Sequence, residues 1–297
     1  MNTAPTLHGP QQTAALLPFA ALVDAIAAAA LQYADGGIAS PERMVVPLGD
    51  GGVMLSMPAT AADIAIHKLV NVQPANAALG LPTIHGMVTV CDAATGRPLC
   101  LLDGPELTGR RTAAVSLLAL RTLLGAAPRE VLLYGTGVQA RHHLSALQAL
   151  HPGCKLWLRG RNAGQVQRLC DEFGAAPCPA EIPDTVDAVL TLTTATEPVY
   201  DEAPRPGRAV VGVGAFKPGM AEIGKTTLDG SALYADDPAG ARHEAGDLLR
   251  AGIDWARVQS LATLLRGGHD ARRPAVFKSV GTGAWDLAAA RIALQNL

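Results

Sequence analysis

The sequence predicts an α/β protein that combines a doubly wound parallel sheet with a second, α+β domain. From residue 131 onward, strand-like and helix-like apolar segments alternate, which indicates a parallel sheet covered by helices. The first hundred residues instead contain apolar runs paired across short turns, which are typical of antiparallel hairpins. A chain of 297 residues is long enough for two domains. We therefore expect domains at 1–112 and 113–282, with a last helix at 283–297 that returns to the first domain.

The first domain is expected to contain one helix and five strands. The alanine-rich segment 16–34 predicts the helix, which ends at Asp35-Gly36-Gly37. Segments 44–48 and 53–57 flank one turn, and segments 84–91 and 98–103 flank another. Segment 64–72 is predicted as a further strand. A helix over 112–124 then leads to the second domain, where strands are expected at 131–134, 155–158, 186–194, 209–214, 232–236 and 276–280, with a helix near 258–266.

The strongest motif is a glycine-rich turn between the apolar run 131–134 and a predicted helix. It has the form Gly135-Thr136-Gly137-Val138-Gln139-Ala140. Gly135 allows a tight turn, Gly137 allows close approach of a pyrophosphate, and Ala140 allows the helix to pack on the sheet. Because the next strand completes a β-α-β unit, the motif predicts a Rossmann-type domain that binds NAD or NADP.

The end of that next strand favours NADP over NAD. Enzymes that use NAD usually place an acidic residue there to bind the ribose 2′-hydroxyl. This chain has Arg159-Gly160-Arg161-Asn162 instead. Guanidinium groups suit a 2′-phosphate, so we expect NADPH, with NADH as a weaker cofactor. The alternative interpretation is a solvated loop that is merely basic.

Composition argues against several classes of partner. The net charge is -2, the pI is about 6.4, and no lysine or arginine run occurs, so we expect no nucleic-acid partner. No apolar stretch reaches the ~20 clean residues of a membrane span. Since the first lysine or arginine is Arg43, no signal peptide is predicted and the protein is expected in the cytoplasm. The five cysteines and eight histidines lack metal-binding spacing, so no metal is expected.

Basic residues at two places in the first domain stand out. Lys68 interrupts the apolar strand 64–72, and a buried ammonium is costly unless it meets an anion or serves proton transfer. Alternation equally permits an outward-facing lysine on an edge strand. Arg110-Arg111 begins the helix that joins the domains, where an arginine could bind a substrate carboxylate or form a structural salt bridge.

Several further motifs, taken together and in this order, are specific to one family. They are Pro41-Glu42-Arg43, His67-Lys68-Leu69-Val70-Asn71-Val72, Gly80-Leu81-Pro82-Thr83, Leu102-Asp103-Gly104, Leu107-Thr108-Gly109-Arg110-Arg111-Thr112-Ala113-Ala114, the glycine-rich turn, and Phe277-Lys278-Ser279-Val280-Gly281. Through them the chain resembles the ornithine cyclodeaminase/mu-crystallin family over nearly its whole length. The resemblance implies a homodimer formed through the first domain.

The resemblance also implies roles for individual residues. Arg43, Lys68 and Arg111 would hold a substrate carboxylate, Lys68 would donate or accept the proton, and Thr83 would line the same pocket. The resemblance and the motifs above also indicate the residues that would contact the cofactor. These are Gly135, Thr136, Gly137, Val138 and Gln139 at the phosphates, Arg159, Arg161 and Asn162 at the adenosine end, and Thr193, Val213 and Ser279 near the nicotinamide.

One position separates the branches of this family. Cyclodeaminases that resemble this chain carry a catalytic aspartate in the loop 214–218, where this chain has Phe216. A phenyl ring cannot activate water or accept a proton. The chain therefore looks more like the ketimine reductases of the family, which convert 1-pyrroline-2-carboxylate and 1-piperideine-2-carboxylate to L-proline and L-pipecolate.

Two alternatives remain open at this point. One is an enzyme similar to alanine dehydrogenase, or another reductive aminase, acting on an imine formed from a 2-oxo acid and an amine. The other is an NADPH-binding protein with little turnover, similar to mu-crystallin in its binding role. Retention of Lys68, Arg43 and Arg111 argues against the second.

Overall fold

The chain divides into two compact units in the computed structural model, which describes residues 4–267 and 269–297. The first unit runs up to Arg111 and includes Thr282–Leu297, and the second is Thr112–Gly281. The boundary therefore falls inside a helix, one residue before the expected position.

The first unit contains a six-stranded sheet with strand order β1-β6-β5-β4-β3-β2. All neighbouring strands are antiparallel except β1 and β6, which are parallel. The chain forms these elements in order, up to and including the helix that contains the unit boundary: β1 (Thr6–His8), α1 (Pro10–Leu16), α2 (Phe19–Ala34), β2 (Met44–Pro47), β3 (Val53–Thr60), β4 (Ile64–Val72), a 3₁₀ helix (Pro74–Leu79), β5 (Ile84–Asp92), β6 (Pro98–Asp103) and α3 (Gly104–Leu124).

The second unit contains an eight-stranded sheet in which every neighbouring pair is parallel. Its elements are β7 (Glu130–Tyr134), α4 (Val138–Leu150), β8 (Lys155–Arg159), α5 (Ala163–Phe173), β9 (Ala176–Pro177), β10 (Ala188–Thr191), β11 (Ala209–Gly212), α6 (Lys225–Asp229), β12 (Ala232–Ala235), α7 (Pro238–Glu244), α8 (Gly246–Ala251), a 3₁₀ helix (Trp255–Arg257), β13 (Val258–Ser260), α9 (Leu261–Leu265) and β14 (Ala275–Lys278). The last helix, α10 (Gly283–Gln295), belongs to the first unit.

The strand order of the second sheet is β13-β12-β14-β11-β10-β7-β8-β9. Strand β7 comes first in the sequence, and β8 and β9 are added on one side of it. Strand β10 and the later strands are added on its other side. This reversal beside β7 is the switch point where α/β sheets bind ligands. The predicted α/β class with a doubly wound parallel sheet is confirmed.

The central strands of the second sheet are almost wholly apolar because they are buried. Every residue of β10 and β11 is buried, as expected for parallel strands covered on both faces.

Strand β4 of the first sheet alternates between buried and more exposed residues, and the side chains of Ile66, Lys68 and Val70 share its buried face. Since β4 lies between β3 and β5, Lys68 is neither on an edge strand nor directed outward. That alternative interpretation was wrong.

Three helix predictions need correction. The segment 16–34 is broken before Phe19, because Pro18 has no N–H to continue a helix from α1. Helix α3 begins at Gly104, and the Asp103 carboxylate accepts the N–H of Glu106 (2.7 Å) near its start. The segment beginning at Val258 first pairs with β12, and the helix starts only at Leu261.

No single helix within the described residues is long and apolar enough to span a membrane. The pair α1 and α2 would qualify by combined length and composition, but the two are bent by 70°.

Candidate active site

A buried cluster of charged side chains occupies the first unit, and Asp286 is at its centre. The Lys68 Nζ lies 2.6 Å from Asp286 Oδ2, and the Arg111 Nε–H donates to Asp286 Oδ1 (2.9 Å). The exposed fractions are 2% for Lys68, 6% for Arg111 and 0% for Asp286. One carboxylate therefore binds two cations out of contact with solvent.

Three separate elements place these side chains. Alternation along β4 turns Lys68 toward the interior, and Arg111 lies on α3. Asp286 lies in the first turn of α10, where the helix dipole favours a negative charge. The helix start is fixed by Thr282, whose hydroxyl accepts the N–H of Ala284 (3.4 Å).

The cluster carries an excess of positive charge. Burial lowers the pKa of Lys68 to about 8, and Asp286 opposes this shift while Arg111 and Arg43 add to it. Burial acts to raise the pKa of Asp286, but Lys68 and Arg111 outweigh it and hold that pKa below its usual value. With two cations beside one carboxylate, and Arg43 acting on Lys68 as well, the cluster attracts a further anion.

The remaining residues expected at the substrate differ in placement. Arg43 is half-buried just before β2 and is close enough to act on Lys68 electrostatically. Thr83 is exposed in the connection before β5, where its carbonyl oxygen accepts the Gln73 N–H (2.7 Å).

The second unit contains a cavity of about 690 Å³ at the carboxyl ends of β7, β8 and β10. It contains many of the residues expected to bind the cofactor. Those that line it are Gly135, Thr136, Gly137, Arg159, Arg161, Asn162 and Thr193.

The two glycines of the glycine-rich turn serve different purposes. Gly135 has φ +114°, and a Cβ there would lie 2.6 Å from the Leu192 carbonyl oxygen. At Gly137 a Cβ would stand in open space, which leaves room for a ligand against the backbone. Gly137 also caps α4 without a side-chain hydrogen bond, so the first N–H groups of this 13-residue helix remain available to an anion. These features fit the pyrophosphate of a dinucleotide.

The two arginines after this turn differ in their partners. The Arg159 guanidinium donates to the Pro179 carbonyl, to the Ala180 carbonyl (3.0 Å) and to the Tyr134 hydroxyl (3.1 Å). Arg159 therefore ties β8 to the segment after β9. Arg161 is exposed at the cavity.

Asn162 and Thr136 already have local partners. The Asn162 side-chain oxygen accepts the Gln165 N–H (3.0 Å) and so caps α5. The Thr136 hydroxyl donates to Gln165 Oε1 (3.0 Å). The amide nitrogen of Asn162 is the end that could still face a phosphate.

Glu222 ties together two loops at the carboxyl edge of the second sheet. Its Oε1 accepts the N–H and the hydroxyl of Thr193 (2.5 and 2.8 Å), and its Oε2 accepts the N–H groups of Gly214 and Ala215 (2.6 and 3.1 Å). Glu222 is fully buried, and burial raises its pKa although Lys278 opposes the shift. The loops after β10 and β11 are thereby held together.

Two further aspartates fix neighbouring backbone. Asp247 Oδ1 accepts the N–H groups of Glu222 and Ile223, and its Oδ2 lies 2.7 Å from Lys278 Nζ. Asp236 accepts the Ser279 hydroxyl (2.9 Å) and the N–H groups that follow it. The Ser279 side chain is thus bound to Asp236. Three expected nicotinamide and phosphate positions remain. Val213 follows β11 and donates its N–H to Thr191 O (3.0 Å), and Val138 is exposed at the start of α4. Gln139, the next residue of that helix, is half-buried, and its carbonyl oxygen lies 2.8 Å from His143 Nδ1.

Sequence reasoning missed Asp286, Glu222 and Asp236. A signal for Asp286 was present, since it is a lone carboxylate among Ala284, Trp285, Leu287 and Ala288 in an apolar helix. A buried charge of this kind requires a partner.

Phe216 is 40% exposed in the loop after β11, with the Lys217 Nζ 5.7 Å from its ring centroid. Among the residues that the structure describes, no group of three or more histidine, cysteine, aspartate or glutamate side chains could hold a metal ion.

Comparisons with known proteins found similarity over nearly the whole chain. The profile of the ornithine cyclodeaminase/mu-crystallin family matches residues 7–297. The chain is 54% identical to Delta(1)-pyrroline-2-carboxylate reductase 2 of Burkholderia ambifaria over 292 residues, which are 96% of this chain and 94% of that protein. It is 55% identical to the Delta(1)-pyrroline-2-carboxylate/Delta(1)-piperideine-2-carboxylate reductase of Azospirillum brasilense, with the same coverage. The solved Delta(1)-pyrroline-2-carboxylate reductase of Thermococcus litoralis, in complex with NADH and L-proline, superposes with a TM-score of 0.87 at 25% identity, covering 98% of this chain and 97% of that one.

Proposed function

This chain belongs to the ornithine cyclodeaminase/mu-crystallin family, and from that premise we propose that it reduces the cyclic ketimines 1-pyrroline-2-carboxylate and 1-piperideine-2-carboxylate with NADPH. It is an oxidoreductase that acts on C=N bonds. The observation that carries the proposal is the buried cluster of Lys68, Asp286 and Arg111 in a chain so similar to reductases of these two imines.

Carboxylate binding follows from the charge of this cluster. The substrates carry a carboxylate next to the C=N bond, and the cluster has an excess of positive charge. Arg111 uses its Nε–H on Asp286, so the remaining guanidinium N–H groups are the ones to bind the substrate, with Arg43 as a second donor. A guanidinium and a carboxylate form charge-assisted pairs that also fix orientation.

Lys68 is the proton donor of the proposed reaction. Because its pKa is about 8, the ammonium form predominates at neutral pH and still releases its proton readily. A proton given to the imine nitrogen makes the adjacent carbon electrophilic. A bound nicotinamide coenzyme would supply the hydride for that carbon. The C=N bond becomes a C–N single bond, and the product is the cyclic amino acid.

The preference for NADPH rests on the segment after β8. Arg161 is exposed at the cavity, and no acidic residue stands in the segment 159–162 to repel a 2′-phosphate. The Thermococcus litoralis protein was solved with NADH. Because that similar reductase was solved with NADH, the preference of this chain for NADPH needs a test separate from the test of its reaction.

We also propose that the chain forms a homodimer through its first unit. That unit exposes many large apolar side chains, which is typical of interaction surfaces. They include Leu7, Met44, Val45, Leu79, Leu81, Ile84 and Met87. Light scattering of the purified protein should give twice the mass of 30.6 kDa, and a monomer across micromolar concentrations would contradict the proposal.

A substrate screen tests the reaction. The oxidation of NADPH and of NADH should be followed by absorbance with the two cyclic ketimines, with pyruvate plus ammonia, and with pyruvate plus methylamine. We expect turnover of the cyclic ketimines and little of the open-chain mixtures. The reverse ranking would favour a reductive aminase. Cofactor binding without reduction of any imine would make the chain a binding protein and overturn the proposal.

A further inference from the structure

We propose that Asp286 is a positioning residue for the reductase reaction, a buried counter-ion that keeps Lys68 protonated and sets the direction of the Arg111 guanidinium. The inference rests on the proposed function, because it assigns Asp286 a task in that reaction. It adds a residue that acts through Lys68 and Arg111 rather than by touching the substrate.

The geometry distinguishes Asp286 from an ordinary salt-bridge partner. Each of its two oxygens binds a different cation, Oδ2 the Lys68 ammonium and Oδ1 the Arg111 Nε–H. These cations come from β4 and from α3, so the carboxylate fixes the distance between two groups that the sheet and the helix supply separately. Because Asp286 is 0% exposed, its two oxygens face these cations and not bulk water.

The helix that carries Asp286 is itself held firmly in place. A Cβ on Gly283 would lie 2.9 Å from Ser40 Oγ and 3.0 Å from the Pro58 carbonyl oxygen, so the start of α10 packs directly against these groups. The Ser40 hydroxyl also bonds the Thr282 hydroxyl (2.8 Å). Trp285 makes an edge-to-face contact with Tyr33 of α2. The Asp286 carboxylate is therefore held at a fixed point.

The charged groups that act on Lys68 come from three elements besides its own strand. Asp286 on α10 stabilises the ammonium, whereas Arg111 on α3 and Arg43 before β2 destabilise it. Helix α2 also packs against α10, but its Asp24 is exposed. Burial disfavours the ammonium as well. Asp286 thus opposes all the other influences on Lys68, and its removal should lower the pKa of the lysine.

The experiment compares pH profiles of kcat/KM for 1-pyrroline-2-carboxylate in the wild type, in Asp286→Asn and in Asp63→Asn. Asp63 is the matched control, because its carboxylate pairs with Arg291 on the same helix α10 (2.7 Å) but lies far less buried. We expect the alkaline limb of the wild-type profile near pH 8. Asp286→Asn should move that limb down by about one pH unit or more, and Asp63→Asn should leave it in place.

The outcomes separate this inference from the proposed function. If Asp286→Asn is folded and active with an unmoved alkaline limb, the inference fails and the reductase assignment stands. If the wild type reduces no imine, the assignment fails, and the next measurement still decides the inference.

That measurement is a ¹⁵N NMR titration of lysine-labelled protein, with the Lys68 Nζ resonance identified by its loss in Lys68→Met. In the wild type, Nζ should titrate near pH 8, and in Asp286→Asn at lower pH. If Asp286→Asn does not fold, Asp286→Ser takes its place, because its smaller side chain also removes the negative charge, and the Nζ should again titrate at lower pH than in the wild type. A Lys68 Nζ that titrates at the same pH with and without the Asp286 carboxylate overturns the inference.

Discussion

Lys68 and Asp286 are 218 positions apart in the sequence, yet their charged atoms lie 2.6 Å apart in the interior of one unit. The contact joins the middle of a sheet to the first turn of the last helix. A buried ammonium in this position has no structural need that an apolar residue could not meet, so it points to chemistry.

Replacement of Lys68 by methionine should abolish most imine reduction while cofactor binding persists. Methionine fills similar volume without a proton, and loss of a positioned acid typically costs about 10²–10⁴-fold in rate. The change leaves Asp286 with Arg111 as its remaining partner. The measurement pairs kcat/KM with the dissociation constant for NADPH, determined by fluorescence titration.

Lys225→Met is the control for this change, since Lys225 is an exposed lysine that pairs with Asp229 on α6. It should behave as the wild type in both assays. Equal loss of reduction and of NADPH binding in Lys68→Met would indicate misfolding rather than a missing proton donor.

Cofactor preference should change when Arg161 is replaced by serine. A hydrogen bond to a charged group contributes about 1.5–3 kcal/mol, so NADPH binding should weaken by roughly 10–100-fold while NADH binding changes little. The ratio of the two dissociation constants is the measured quantity. Arg168→Ser, an exposed arginine on α5, should leave the ratio unchanged. An unchanged ratio in Arg161→Ser would mean that the 2′-phosphate binds elsewhere.

Much of this architecture could be predicted from the sequence, because strand periodicity and turn residues are local signals. The strand over Ile64–Val72 and the glycine-rich turn are examples. The alternation of β4 also indicates that Lys68 is buried, since Ile66 and Val70 lie on the same face of the strand and are apolar. The short strands Thr6–His8 and Ala176–Pro177 had no such signal.

The partners of buried charges could not be predicted in the same way. Nothing near Asp286 in the sequence indicates Lys68 or Arg111, because the contact depends on how α10 packs against β4. The same holds for Glu222, whose four donors come from the loops after two strands. Such contacts are set by tertiary packing rather than by a local pattern.

Glu222→Gln should destabilise the second unit and weaken cofactor binding. A glutamine has one accepting oxygen, so at least one pair of donors, either Thr193 or Gly214 and Ala215, would face an NH₂ group. Buried donors without partners cost about 1–3 kcal/mol, and urea denaturation should show a loss of roughly that size. Glu197→Gln, at a largely exposed ion pair with Arg250, should change stability by less than about 0.5 kcal/mol. Wild-type stability in Glu222→Gln would contradict the bridging role.

Acid sensitivity should depend on His143. Its ring is fully buried, with Nδ1 2.8 Å from the Gln139 carbonyl oxygen and Nε2 2.9 Å from the Ser116 hydroxyl, and burial lowers its pKa to about 4. The unfolded chain binds a proton near pH 6.5 and the folded chain only near 4, so stability falls as the pH drops through this window. The full difference corresponds to about 3 kcal/mol.

The test of this prediction is urea denaturation between pH 7 and pH 4 for the wild type and His143→Gln. Glutamine keeps a donor and an acceptor but does not titrate, so the variant should start less stable and lose less stability on acidification. His142→Gln is the matched control, because His142 adjoins His143 on α4 but is only partly buried. It should retain the wild-type slope. If His143→Gln and the wild type lose stability in parallel, the acid sensitivity has another source, and the neutral buried imidazole is not what sets it.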